Sequence, residues 1–192
     1  MVHFSFPHVV ASVLFCAALA LEVWLAITHH GKHQDSRDHF TLPAVQVLVL
    51  LSAMSAAFFS TQLPWLRFPL PRPLLSLLAI IFFASGIALR VWAVRTLGKY
   101  FTVRITIQEG QHVITSGPYR YVRHPSYTAL LILVVGTAFL VDNLGSTVSI
   151  FIFMGIALAL RIRYEEHELL ATFGDAYREY ATSHARIIPH IL

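Results

Sequence analysis

The stretch Pro125-Ser-Tyr-Thr-Ala-Leu-Leu-Ile-Leu-Val-Val-Gly-Thr-Ala-Phe-Leu-Val141-Asp-Asn-Leu-Gly-Ser146-Thr-Val-Ser-Ile-Phe-Ile-Phe-Met-Gly-Ile-Ala-Leu-Ala-Leu-Arg161 decides the architecture. It is too long for one membrane crossing, since ~20 apolar residues span a ~30 Å hydrocarbon core. Asp142-Asn-Leu-Gly-Ser146 interrupts it with turn chemistry. The stretch therefore predicts a tight hairpin of two short helices, about 17 and 16 residues long, and so a fifth crossing instead of a fourth.

Working outward, three more apolar blocks cover residues 7–28, 43–63 and 74–97, each long enough to span a bilayer. The 192-residue chain is 56% hydrophobic and only 12% charged. Soluble domains carry about a quarter charged residues, so a water-surrounded fold is excluded and lipid must solvate the apolar surface. Ala18-Leu-Ala20 resembles a signal-peptidase site. No Lys or Arg precedes that apolar run, however, and it continues through Trp24 to Ile27, so a retained helix is expected.

The single cysteine, Cys16, leaves no internal disulfide, thiolate metal site or redox pair. Of eleven histidines, His29, His30, His33 and His39 share one polar loop without a carboxylate motif or an i, i+4 frame. No metal is predicted there, and no nucleic-acid partner is expected.

Charge asymmetry sets the orientation. With five crossings, one side receives Lys32, Arg37, Arg95, Lys99, Arg104, Arg120, Arg123, Arg161, Arg163, Arg178 and Arg186, and the other only Arg67 and Arg72. Positive residues favour the cytoplasmic side, which places the C-terminus in the cytoplasm and the N-terminus outside. The expected fold is an all-α integral membrane protein with five transmembrane helices. A small cytoplasmic connector joins helices 3 and 4, and a cytoplasmic helical tail follows helix 5. Residues 1–192 read as one membrane domain.

Two segments outside the crossings have patterns of their own. Phe101-Thr-Val-Arg-Ile-Thr-Ile107 alternates with a strand-like period, and Gln108-Glu-Gly-Gln111 reads as a turn. In the tail, Leu169, Leu170, Phe173, Ala176, Tyr177 and Tyr180 recur at helical spacing, with Gly174 as a possible interruption.

Chemistry-bearing residues gather in two clusters on the cytoplasmic side. Thr115-Ser-Gly-Pro-Tyr119-Arg-Tyr-Val-Arg-His124-Pro125-Ser-Tyr127 packs tyrosines, arginines and a histidine immediately before helix 4. Pro125 suits the first helical position, and a helix N-terminus beside cations favours an anionic group. Arg161-Ile-Arg-Tyr-Glu165-Glu-His-Glu168 follows helix 5, with Arg161 and Glu165 on one face. Taken alone, the first reads as an interfacial aromatic belt and the second as a solvated juxtamembrane helix. Each adjoins one arm of the same hairpin, so the two should meet.

Gly117-Pro-Tyr-Arg-Tyr-Val-Arg-His-Pro-Ser-Tyr127, then Arg161-x-x-x-Glu165-Glu166, then Phe173-Gly174-x-x-Tyr177-x-x-Tyr180, resembles the isoprenylcysteine carboxyl methyltransferase family. The likeness covers about residues 98–189, including Arg186-Ile-Ile-Pro189, and departs where the family commonly has Gly and this chain has Ala129. It implies an integral membrane enzyme using S-adenosylmethionine. It implies cofactor contacts from Gln111, His112, Val113, Ile114, Tyr119, His124, Pro125, Ser126, Tyr127 and Glu165, with Arg161 on the substrate carboxylate. Arg161 and Glu165 are the candidate catalytic pair. The resemblance divides the chain into helices 1–3 (1–97) and a cofactor-binding catalytic half (98–192). The implied partner is a lipophilic substrate entering from the membrane.

Physical reading of the same residues agrees. A sulfonium and an ammonium want an anion such as Glu165 and aromatic faces such as Tyr119 and Tyr127, and a carboxylate wants donors such as His124 or the N-terminus of helix 4. Glu22 is costly in lipid and is a candidate for lining a polar cavity, with snorkelling at a helix end as the alternative. An amine-lipid or phospholipid N-methyltransferase shares much of the motif. A sterol-type reductase lacks the full Arg-His-Pro-x-Tyr plus Glu-Glu pattern, and a transporter predicts more polar residues deep in the spans.

Overall fold

The computed structural model describes residues 6–29, 41–105 and 108–189. Its helices are α1 (Phe6–Thr28), α2 (Thr41–Gln62), α3 (Arg72–Leu97), α4 (Pro125–Val141), α5 (Leu144–Phe173) and α6 (Asp175–Ser183), with short 3-10 turns at Gly98–Tyr100 and Gly117–Arg120. The protein is a multi-pass integral membrane protein. Four helices (α1, α2, α3 and α5) are long and apolar enough to cross a bilayer, and α4 is an apolar helix of 17 residues.

α3 packs along α4, α2 along α5, and α1 along α3. The α3–α4 seam is tight at Gly86, where a Cβ would lie 2.7 Å from Leu133 and 3.3 Å from the Ala129 carbonyl. Ala129, the departure from the family pattern, is fully buried in that seam. Close approach is therefore supplied by α3 at Gly86 instead of by α4.

The interruption at Asp142 is a real helix break. Asp142 adopts the left-handed conformation at φ 52°, and Asn143 caps α5 by accepting from the Ser146 N–H at 2.9 Å. Such a cap contributes about 1 kcal/mol. The turn is also stitched to the 63–71 linker. Asn143 donates to the Leu63 carbonyl at 2.9 Å, the Phe68 N–H donates to Asp142 at 3.2 Å, and the Leu144 N–H donates to the Leu66 carbonyl at 2.6 Å.

Two expectations change. The second arm of the hairpin does not stop near Arg161: α5 runs for 30 residues to Phe173. Good helix formers, with no glycine or proline among residues 156–173, carry it past the membrane. Gly174, at φ 54°, ends it, and α6 begins at the next residue. The strand-like alternation at 101–107 forms no strand among the described residues; its last two residues lie outside them. Instead Phe101 and Ile105 turn inward and are buried, and the Val103 N–H donates to the His29 carbonyl at 3.0 Å. Thr102, Val103 and Arg104 between them also line the cavity, so the segment runs along the cavity wall without a partner strand among the described residues.

Candidate active site

Local sequence explains how the first cluster is presented. Gly117 has φ 59°, and a Cβ there would fall 2.7 Å from Thr96, so the chain can turn tightly against α3 only with glycine at that position. Tyr119 is thereby buried, and the Tyr180 hydroxyl of α6 donates to its carbonyl at 2.6 Å. His124 closes the segment, and Pro125 opens α4 where its missing N–H is not needed.

The two clusters meet through neighbouring glutamates. Tyr127 donates to Glu165 at 2.6 Å, and His124 Nδ1 lies 3.9 Å from the same carboxylate. Glu166 binds on the other side. It accepts from Arg123 at 2.8 Å, from Arg186 at 3.0 Å and from His124 Nε2 at 3.3 Å. The tail is laid alongside this junction, its backbone accepting from the Arg123 and His124 N–H groups at 2.8 and 2.9 Å. The Thr128 hydroxyl donates to the Ile187 carbonyl at 2.7 Å.

Arg161 is buried. It donates to the Thr41 hydroxyl at 2.9 Å and to the Val103 carbonyl, which anchors its head to α2 and the connector. Deeper in the bundle Arg90 makes a two-pronged pair with Glu22, at 2.8 and 2.7 Å, and also donates to Ser126. Its guanidinium carbon lies 5.6 Å from the centre of the Phe101 ring. Glu22 is thus held by a partner on α3 and faces the cavity, so the cavity-lining alternative holds over snorkelling.

These groups surround one cavity of about 470 Å³. Gln111, His112, Val113, Ile114, Tyr119, His124, Ser126, Tyr127, Arg161 and Glu165 all line it. Pro125 does not; it is buried as the start of α4. Burial pushes the Tyr119 and Tyr177 hydroxyls well above the usual tyrosine range, and the Tyr180 hydroxyl up to about 12. All three therefore stay neutral at neutral pH. Among the described residues, no group of three or more His, Cys, Asp or Glu is placed to hold a metal ion; His30, His33 and His39 lie outside them.

Sequence reasoning gave no role to Glu166, Arg123, Arg186 or Arg90. Arg186 stood in the recognised terminal Arg-Ile-Ile-Pro pattern, and the charge of Arg90 in a membrane span was a signal in itself. Neither showed its partner, because these pairs obey no helical or strand spacing.

A model of the isoprenylcysteine carboxyl methyltransferase family matches residues 78–171. A probable protein-S-isoprenylcysteine O-methyltransferase of Oryza sativa subsp. indica is 34% identical over 176 residues, covering 88% of this chain and 90% of the rice protein. Protein-S-isoprenylcysteine O-methyltransferase A of Arabidopsis thaliana is 33% identical, covering 88% and 86%. The fold resembles the solved structure of the eukaryotic intramembrane Ras methyltransferase ICMT, with a TM-score of 0.61 at 21% identity, over 98% of this chain and 70% of that one. With relatives of this identity matching along most of both chains, and with the motif residues gathered on one cavity, the chain belongs to the isoprenylcysteine carboxyl methyltransferase family and is a membrane methyltransferase.

Proposed function

We propose that the protein moves a methyl group from S-adenosylmethionine to the carboxylate of an isoprenylcysteine-like lipid, at the cytoplasmic face of the membrane. The observation that carries this reading is the two-part cavity. Its upper part is walled by Tyr119, His124, Tyr127, Arg161 and Glu165, and its lower part by apolar side chains of α1 to α5. A polar head with an apolar tail matches that division.

The residues fit the donor. Glu165, held by Tyr127, offers a fixed negative charge for a cation, and Tyr119 and Tyr127 offer aromatic surface. The buried Tyr177 hydroxyl and Arg123 Nε have no hydrogen-bond partner among the described residues, so donors remain for an acceptor-bearing ligand. When bound, S-adenosylmethionine supplies an electrophilic methyl on a sulfonium. The acceptor carboxylate is already ionised at neutral pH, so no residue has to serve as a base. Methyl transfer to it would need no proton to move, so the residues' part is to bind and orient the two molecules. Arg161, anchored by Thr41 and Val103, would steady the carboxylate by charge-assisted hydrogen bonds. Positioning of this kind can contribute ~7–11 kcal/mol in favourable cases.

Five crossings with a cytoplasmic C-terminus accord with this geometry. The two ends of α4 bond to opposite ends of the bundle: Thr128 to the tail, and the Asp142 turn to the 63–71 linker. Residues 98–192 would carry most of the donor site, while Glu22 and Arg90 reach into it from helices within 1–97. Entry of the lipid from the bilayer is favoured between α1 and α2, which both line the cavity but are not among the closely packed helix pairs.

The test compares a farnesyl-cysteine-type acid with an amine lipid, using wild type, Arg161→Ala and Arg161→Lys. The acid should be methylated. Arg161→Ala should lose most turnover while still binding S-adenosylmethionine, and Arg161→Lys should stay impaired because it lacks the planar fork. Turnover of the amine alone would move the protein to the N-methyltransferase class.

A further inference from the structure

α2 carries none of the motif residues, yet its first residue reaches the candidate catalytic pair. Thr41 is buried and accepts from Arg161 Nη1 at 2.9 Å, while Nη2 donates to the Val103 carbonyl. Thr41 does not line the cavity, although Leu42 beside it does. Whatever the Thr41 hydroxyl does for the reaction, it does through Arg161.

The seam between α2 and α5 explains why Thr41 arrives there. Ser52 and Ala56 on α2, and Ser146 and Ser149 on α5, are all buried. Small residues let two membrane helices approach closely. The Ser146 hydroxyl donates to the Ala56 carbonyl at 2.7 Å, and a Cβ on Gly145 would fall 2.8 Å from Phe59. Ala56 lies fifteen positions after Thr41, and Ser146 fifteen positions before Arg161. Each interval is about 22 Å of helix at ~1.5 Å per residue. The two antiparallel helices are therefore pinned in one register at both ends, Ser146 to Ala56 and Arg161 to Thr41. Sliding by a turn would break both bonds, so Thr41 is held at a fixed depth beside the arginine.

We infer that Thr41 is a positioning residue for the acceptor: its hydroxyl fixes the plane of the Arg161 guanidinium, and with it the direction of the fork offered to a carboxylate. The inference rests on the proposed isoprenylcysteine-like acceptor and adds the side chain that aims its anchor. Arginine carries its head on a long rotatable stem. Bonds from its two terminal nitrogens to two different elements fix the plane, where a single bond would let the head turn. A fork held in place loses little freedom for each bond it then makes. Misaiming it lowers turnover of the acid and leaves the donor site, built on Glu165 and residues 111–127, as it was.

The experiment measures kcat and KM for a farnesyl-cysteine-type acid, together with S-adenosylmethionine affinity. The proteins compared are wild type, Thr41→Val, Thr41→Ser, Arg161→Ala and the double variant Thr41→Val/Arg161→Ala. Turnover is expressed per S-adenosylmethionine-binding site, so loss of folded protein cancels. Thr41→Val keeps the shape and removes the acceptor. Its kcat/KM should fall about tenfold, the scale of one charge-assisted hydrogen bond, with donor affinity within about twofold of wild type. Thr41→Ser, which keeps the hydroxyl, should recover most of that loss. In the Arg161→Ala background Thr41→Val should cost nothing more, because the group it aims is gone. Wild-type turnover in Thr41→Val, equal impairment in Thr41→Ser, or a further loss in the double variant would each overturn the inference. If wild type does not methylate the acid, the acceptor assignment itself fails, and this inference with it.

Discussion

Two buried carboxylate–guanidinium junctions hold this protein together, and they are built differently. Glu22 and Arg90 form a closed pair inside the membrane-spanning bundle, two-pronged, with Ser126 taking the remaining nitrogen of Arg90. Glu166, near the tail, distributes one carboxylate over Arg123, Arg186 and His124. In the first, each charge depends on a single opposite charge. In the second, one anion serves three donors, and one of them, Arg186, is half exposed. The lesson concerns what is left behind when a partner is lost. Among the described residues the inner pair has no second partner for either charge, and Arg90 is buried, so a stranded charge there is costly, whereas the tail junction can share its loss.

The largest effect should follow from breaking the inner pair on one side only. Arg90→Met leaves the Glu22 carboxylate without its guanidinium partner and should destabilise the protein by about 3 kcal/mol. Thermal unfolding in detergent measures this. The double variant Glu22→Leu/Arg90→Met should recover most of it, since an apolar replacement of both members is often neutral. Additive losses in the double variant would contradict the closed-pair description.

Glu166→Gln should cost somewhat less, about 2 kcal/mol, because it weakens several charge-assisted bonds while keeping the shape. It should also loosen the tail. Limited proteolysis near residue 186 and S-adenosylmethionine affinity report these two consequences, and a tail as protected as wild type would count against the junction.

Arg186→Ala should cost under about 1 kcal/mol, since this member is half exposed and the backbone bonds to 123 and 124 persist. Its comparison with Glu166→Gln by the same unfolding assay separates the hub from one of its spokes.

Alkaline pH distinguishes the two regions without mutation. Burial pushes the Tyr180 hydroxyl up to about 12 in the folded protein, above the ordinary tyrosine value of about 10. Below pH 10 the hydroxyl is protonated in both states and contributes no pH dependence. Between 10 and about 12 the unfolded chain gives up its proton and the folded chain keeps it, so stability falls as pH rises. Tyr119 and Tyr177, both in the tail-side region and both raised, act in the same direction. Protease sensitivity of the tail should therefore appear before loss of the transmembrane helices by circular dichroism.

The helices were legible because their signal is local. Apolar blocks at 7–28, 43–63 and 74–97 correspond within a few residues to α1, α2 and α3, and Asp142-Asn143 did mark the hairpin. The end of α5 was misjudged because hydropathy records where lipid stops, not where hydrogen bonding stops. Most of the candidate site was also legible, through motif residues that all but one line the cavity. The strand-like 101–107 stretch misled because its described residues, Phe101 to Ile105, all line one cavity, whereas a strand would send alternate residues to opposite faces.

By itself, then, the sequence determined the membrane environment, the helix positions and the chemical types at the site, since each follows from neighbouring residues and the bilayer's thickness. Only the tertiary structure decided which charges are paired: Glu22 with Arg90, and Glu166 with Arg123 and Arg186. It alone also brought Phe15 to Phe83 in the core between α1 and α3. The reason is physical. An ion pair or a ring contact depends on distance in space, and residues on separate helices acquire that distance only when the helices have packed.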